Sequence, residues 1–233
     1  MADTEEHWVT INGTHILLKG GESPKDAIER KFGDSESMTD RPKSLSRNPE
    51  TSHKQYQKLK DTYEGYAPPE DGKQTIMGYT GGEFRHYNTA LRKGETSDRI
   101  VNMKETINKA PEMPPGILMY RGVGFETASR ISDAPIGSII EDKGFQSFSE
   151  SPDVATKFTS SPKGVDQPIL LRVVTKGGEK GISTMVTGSA HMEDEIILQA
   201  GSKWRIANKE VIKYKGTWDT DTRSYNIVDL VKI

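Results

Sequence analysis

The chain changes texture at Pro114-Pro115-Gly116, and that change limits the folds open to it. Before it, apolar residues recur at helical spacing. Tyr56, Leu59, Tyr63 and Tyr66 mark an amphipathic helix over 52–66. Segments 82–93 and 98–110 read as helices, ended by Gly94 and Pro111. After the break, short β-rich runs alternate with turns, at 117–121, 138–141, 144–149, 169–174, 195–199, 203–206, 210–215 and 225–231. One short helix interrupts them, opened by Ser151-Pro152 and running to Phe158. Helices first and strands afterwards predict an α+β fold rather than alternating βαβ units. No internal repeat is visible.

With 233 residues the chain has room for one large domain and an appendage. The expected division is 1–68 and 69–233. The first part opens with a hairpin over 7–18, turning at Asn12-Gly13. Ser23 caps a short helix with Pro24 in its first turn and Gly33 at its end. A Ser-, Asp-, Pro- and Arg-rich linker spans 34–51, and Pro68-Pro69 with Asp71-Gly72 closes the helix over 52–66.

Composition removes several chemistries. There is no cysteine, so disulfides, thiolate metal sites and cysteine nucleophiles are excluded. Net charge is −2 and the pI near 6.2, so no global basic field points to nucleic acid. Positions 41–60 do hold six basic residues against one acidic, which could form a nucleic-acid or partner-binding patch, but a solvated helix face explains them better. The five histidines, at 7, 15, 53, 86 and 191, lack ligand spacing, and no metal is expected. Gly122-Val123-Gly124 lacks the third glycine of a dinucleotide loop, and Gly177–Gly181 lacks the Gly-Lys-Ser/Thr ending of a phosphate loop. Ser147 and Ser149 sit in no nucleophile elbow. The acidic start has no signal-peptide core, and no run approaches the ~18 apolar residues of a membrane span. A cytoplasmic protein without a membrane partner is therefore expected.

Three stretches remain. Leu118–Tyr120 is an apolar strand that ends in Arg121, a planar fork suited to a diphosphate, and Gly122, beside which a ligand can approach the backbone. Gly144–Ser149 alternates so that Ser147 and Ser149 share a face, while Phe145 and Phe148 do not fit strict alternation. Phe158 follows on the next helix, where an aromatic face can stack on a flat heterocycle or simply join the core. Last, Glu193 and Glu195 stand two apart before Ile196-Ile197-Leu198, a buried strand, after the flexible approach Gly188–His191. Strand geometry sets the two carboxylates roughly 6–7 Å apart on one face. Two such charges repel and call for a reason. A solvated acidic edge is the competing reading.

In this order, Tyr120-Arg121-Gly122, then Phe145-x-Ser147-x-Ser149, then Glu193-x-Glu195, the stretches resemble the mono-ADP-ribosyltransferases of the arginine–serine–glutamate, cholera-toxin-like class. The run from Glu195 to Ile206 and the helix carrying Tyr79, Asn88 and Arg92 are similar to that family too. The resemblance covers roughly 73–233. Phe148 departs from the threonine usual in the family, a change that leaves both hydroxyls in place. The resemblance implies two packed, mainly antiparallel sheets around an NAD cleft, with flanking helices. NAD is then a substrate that loses nicotinamide. Arg121 would hold its phosphates, with Tyr120 and Gly122 alongside. Ser147 would orient Glu195, which would stabilise the cationic ribose. Ser149 would support the strand, and Phe158 would pack on nicotinamide. Glu193 would select arginine side chains of a target protein as acceptors. Water (a glycohydrolase) or a nucleic acid are the alternative acceptors. The hairpin from Trp8 to Leu18 resembles segments found beside phage head proteins and phage-borne transferases. That implies a phage or prophage gene, a docking role for 1–68, and a place in the host cytoplasm or with the virion. A particle-associated binding module is the non-enzyme alternative.

Overall fold

A computed structural model describes residues 7–11, 14–23, 26–27, 45, 49–162, 164, 167–187, 195–217 and 219–233. The Asn12-Gly13 turn, Pro24, Gly33, nearly all of the linker and Glu193 lie outside these residues.

Strands β1 (His7–Ile11) and β2 (Thr14–Leu18) pair as the expected hairpin. Helices α1 (Pro49–Thr62), α2 (Glu70–Gly78), α3 (Phe84–Lys93) and α4 (Asp98–Lys109) follow. Then come β3 (Leu118–Gly122), α5 (Phe125–Asp133), β4 (Ile139–Glu141), β5 (Gln146–Ser149) and α6 (Pro152–Thr156). The chain closes with β6 (Ile169–Val174), β7 (Gly181–Ser183), β8 (Glu195–Leu198), β9 (Lys203–Tyr214) and β10 (Arg223–Lys232).

The main sheet runs β4-β9-β10-β6-β3-β5-β8-β7, antiparallel throughout except for β6 beside β10. β3 and β5 meet at one residue pair, Tyr120 opposite Ser149. This narrow seam divides the ladder into β4-β9-β10-β6-β3 and β5-β8-β7, so the two expected sheets are two halves sharing a single link. Near-continuous apolar runs build the middle, because β6 and β8 are buried along almost their whole length. At its ends β9 alternates instead, with Trp204, Ile206, Ile212 and Tyr214 inward and Lys203, Val211 and Lys213 outward. The two strands expected over 203–206 and 210–215 are this one strand. A register shift leaves Ala207 without an opposite residue between Ile206 and Asn208, and that bulge interrupts the pattern.

Sequence reading missed α2, α5 and β7. Asp71-Gly72 does not terminate a helix but lies in the first turn of α2, where Glu70 and Asp71 favour the positive end of the helix dipole. Gly72 is there for space, since a Cβ on it would lie 2.3 Å from Thr106 Oγ1 on α4. The Gly122-Val123-Gly124 stretch leads into α5, whose last carbonyls are capped from β9. Lys209 Nζ donates to Ile131 O at 2.7 Å, Ser132 O at 2.9 Å and Ala134 O.

The larger core lies between the sheet and the helices, and includes Ile76, Ile100, Met103, Ile107, Phe145 and Ile197. A second cluster, with Leu45, Tyr120, Ala155, Leu170 and Ile227, forms separately. α1 belongs to the first. Its inward face is Gln55 and Leu59, continued by Tyr63 just past its end, and Tyr56 is exposed, one step off the expected stripe. Gln55 Oε1 accepts from Leu118 N at 2.6 Å, Lys58 donates to Pro115 O at 2.7 Å, and Tyr63 donates to Gly181 O at 3.1 Å. Three of the basic residues of 41–60 are described: Lys58 serves this contact, Lys54 pairs with Glu50, and Lys60 is exposed. The boundary drawn at 68 thus separates α1 from strands it is bonded to. Deleting 1–68 removes Leu45, Leu59 and Tyr63, each worth about 2–5 kcal/mol when buried, against a total domain stability of about 5–15 kcal/mol. Thermal melting followed by circular dichroism is expected to show loss of a cooperative transition. A truncated chain that melts as the full one does would show that α1 is an appendage.

Candidate active site

Arg121, Ser147 and Glu195 lie on β3, β5 and β8, three consecutive strands. Tyr120, Ser149 and Glu195 form one row across the seam, and neighbouring strands are spaced about 4.8 Å apart. Ser147, two residues from Ser149, stands on the same pleat. β5 begins at Gln146, so the alternation that Phe145 disturbs starts one residue later. Phe148 falls on the other pleat with Gln146. There its ring lies 5.9 Å from that of Trp204, whose Nε1 donates to Gln146 Oε1 at 2.8 Å. Phenylalanine in place of threonine therefore leaves both serines on the expected pleat.

Arg121 also starts from the other pleat, with its guanidinium carbon 6.0 Å from the centre of the Phe148 ring. It reaches the seam, where Nη1 donates to Ser147 O at 3.1 Å. Burial draws its pKa below the ordinary guanidinium value, while Tyr79, Asp142 and Glu195 act in the opposite sense. Glu195 opens β8 with its side chain nearly buried, at 9% exposure, and its carbonyl accepts from Thr184 Oγ1 at 3.1 Å.

Tyr79 ties these groups together. It opens the connection Tyr79–Glu83 between α2 and α3, where the chain kinks at Gly82, whose φ is +123°. Its hydroxyl accepts from Asn88 Nδ2 at 3.1 Å and lies 3.4 Å from both Ser147 Oγ and Phe145 O. Burial raises the Tyr79 pKa, and the charges of Arg121 and Glu195 both act on it. The Asn88 amide brackets the Phe145 backbone, accepting from its N–H at 2.8 Å and donating to its carbonyl at 3.2 Å. Helix α3 thereby fixes the entry to β5.

The other expected site residues divide. Ser149 Oγ accepts from Ser151 N at 3.0 Å and steers the chain into α6, a supporting position. Tyr120 is packed in the second cluster at 3% exposure, and burial pushes its hydroxyl up to about 12. It is wall, without an open face for a ligand. Beside Gly122 the close approach is made by the chain itself, because a Cβ there would lie 2.2 Å from Ala155 O and 2.6 Å from Phe158 C. Phe158 is no core residue. It is 55% exposed, on the turn that rests against Gly122. Glu193 lies outside the described residues.

Sequence reading overlooked Asp142. Arg92 grips it with a two-pronged fork, Nε to Oδ1 at 3.0 Å and Nη2 to Oδ2 at 2.8 Å. Gly144 N donates to Oδ1 at 3.0 Å, and Arg121 Nη2 is 3.9 Å from Oδ2. Burial would raise the Asp142 pKa, but Arg92 and the Gly144 N–H together hold it below the ordinary carboxylate value. The signal in the sequence was Asp142-x-Gly144, the pattern of a carboxylate that folds back onto its own turn. Glu179 does the same within Gly177–Gly181. It accepts from Lys176 N at 2.8 Å and Gly177 N at 2.9 Å, so a carboxylate fills what a phosphate would need.

Among the described residues no cluster of three or more His, Asp or Glu could hold a metal ion, and no helix is long and apolar enough to cross a membrane.

Several solved structures share this fold. Plx2a, an ADP-ribosyltransferase toxin from Paenibacillus larvae, superposes with a TM-score of 0.57 at 17% identity, over 79% of this chain and 95% of that one. The Vis toxin, an ADP-ribosyltransferase from Vibrio splendidus, gives 0.55 at 19%, over 90% and 91%, and Vis has also been solved with agmatine. Exoenzyme S from Pseudomonas aeruginosa, solved with a human 14-3-3 protein and Carba-NAD, gives 0.52 at 17%, over 89% and 88%. No curated protein matches the chain in sequence. The ADP-ribosyltransferase exoenzyme family model matches residues 52–233, from within α1 to the last residue and well over half of the chain, so the chain belongs to that family.

Proposed function

We propose that this protein cleaves NAD and transfers its ADP-ribose to arginine side chains of a target protein, releasing nicotinamide. The observation that carries the reading is the placement of Arg121, Ser147 and Glu195 on three neighbouring strands, with Arg121 bonded to the Ser147 carbonyl and the Ser147 hydroxyl 3.4 Å from that of Tyr79. The bond between ribose C1 and the nicotinamide nitrogen breaks, and its electron pair leaves with nicotinamide. The ribose becomes oxocarbenium-like, with the electrostatic needs of glycoside cleavage. Glu195, a nearly buried carboxylate, stabilises that charge where water screens it least. Ser147 orients Glu195 and contacts the ribose, Arg121 takes the diphosphate as a planar fork, and Phe158 packs against nicotinamide. An arginine Nη then attacks C1, and Glu193 accepts the proton it sheds. The Carba-NAD bound to one relative and the agmatine bound to another support the choice of donor and acceptor, since agmatine presents the guanidinium of an arginine side chain.

The test is incubation with cell lysate and labelled NAD, followed by mapping of the modified residue by mass spectrometry. Label on arginine is expected. In Glu193→Gln, transfer to protein should drop by roughly 100-fold, as for removal of a general base, while release of free ADP-ribose persists. Arginine labelling that survives in this variant would remove Glu193 from acceptor activation. Label found only in free ADP-ribose would assign water as the acceptor, and label lost to nuclease but not to protease would assign a nucleic acid.

A further inference from the structure

Asp142 is oddly placed for a site that takes an anion. It is mostly buried, with a side chain 20% exposed, beside an arginine equally buried. It cannot swing aside, because the Arg92 fork, the Gly144 N–H and a backbone bond from Gly201 N to Asp142 O at 3.2 Å all hold it. A carboxylate is chemically a small relative of a phosphate. It claims the same planar donors and lowers the positive potential that draws a dianion in. Positioning alone does not require a charge here. The Gly144 N–H and one Arg92 N–H both end on Oδ1, which an amide oxygen can replace, while the second Arg92 bond, to Oδ2, is given up.

We propose that Asp142 is a built-in competitor for the diphosphate, a tethered anion that shares Arg121 and Arg92 and sets how tightly the site holds NAD. It is a positioning residue that acts through the two guanidiniums. The inference rests on the proposed NAD chemistry and deepens it. A site that gripped the dinucleotide with an uncompensated arginine pair would bind substrate and transition state equally well, gaining affinity but no turnover. Asp142 keeps part of that attraction in check.

The experiment is calorimetric titration of NAD into the full chain and into Asp142→Asn, at low and at physiological salt. Loss of one fixed charge about 4 Å from the guanidinium should tighten binding roughly tenfold at low salt. The gap should narrow as salt screens the arginines that are left uncompensated. A folded Asp142→Asn that binds NAD no more tightly overturns the inference. A purely structural role for Asp142 would show itself in this way, as weaker binding with little salt dependence. Thermal melting monitors folding, and if the asparagine variant does not fold, Asp142→Ser, which keeps an acceptor for Gly144 N, is judged by the same criterion. An unsubstituted chain that binds no NAD sinks the proposed function together with this inference. One that binds NAD while neither variant binds it better sinks the inference alone.

Discussion

Glu195→Gln should slow nicotinamide release by roughly 100- to 1000-fold, the usual cost of removing one preorganised group that stabilises transition-state charge. The amide keeps the volume of the carboxyl, so its place at the head of β8, opposite Ser149, need not change. What disappears is a negative charge beside a ribose that becomes positive only in the transition state. The effect should therefore fall on kcat, with the KM for NAD little moved, because the ground state carries no such charge. Glu195→Ala should be as inactive, with added loss from the cavity. Nicotinamide release at saturating NAD gives the measurement, and thermal melting guards against misfolding. If Glu195→Gln releases nicotinamide at the unsubstituted rate, the catalytic assignment falls, and with it the reason for the acidic pair.

How much of this was legible in the sequence depends on the range of the interaction. β6 and β8 could be read because burial on both faces writes a continuous apolar run into the local sequence. Arg121, Ser147 and Glu195 could be singled out because each sits at a strand position with a pattern of its own, and the fold sets those strands side by side. Nothing local could show α2. Its Asp71-Gly72 spells a turn, and the need for glycine arises from Thr106 on α4, a contact between helices. Tyr120 and Gly122 illustrate the converse. Residues next to an arginine proposed to bind phosphate invite a functional role, yet one is wall and the other makes room for α6. Asp142 was missed because its partner Arg92 is fifty positions away, and a lone aspartate before Lys143-Gly144 looks like an ordinary turn. Tyr79 and Asn88 stood out only through the family likeness, and packing explains them. They clamp the backbone at Phe145, so the strand carrying Ser147 starts where α3 dictates.

Asp229→Ala should destabilise the protein by about 3–5 kcal/mol, the cost of stranding a buried partner charge. Arg172 and Asp229 lie side by side on the central strands β6 and β10, with side chains 2% and 0% exposed. Arg172 Nε donates to Asp229 Oδ1 at 2.6 Å and Nη2 to Oδ2 at 3.0 Å, while Asn208 Nδ2 donates to Oδ2 at 3.1 Å. Glu210, the guanidinium's other acid at 2.6 Å, is 39% exposed and compensates only in part. Burial works against the charged form of Arg172, yet these partners leave its pKa above the ordinary value. Removing Asp229 therefore leaves a guanidinium that can neither deprotonate nor reach water. In a chain of this size, about 2–4 °C of melting temperature is lost per kcal/mol, so a fall of about 6–20 °C is expected. Replacing both partners, Arg172→Met with Asp229→Leu, should recover most of it, since well-packed apolar pairs often equal or exceed a buried ion pair. A fall below about 1 kcal/mol for Asp229→Ala alone would mean that water enters the sheet interior. The consequence would reach the active site, because Arg172 is flanked on its other side by Tyr120, the residue before Arg121. A loosened β6 should then loosen Arg121 too, and the KM for NAD should rise in the single variant and return in the double one.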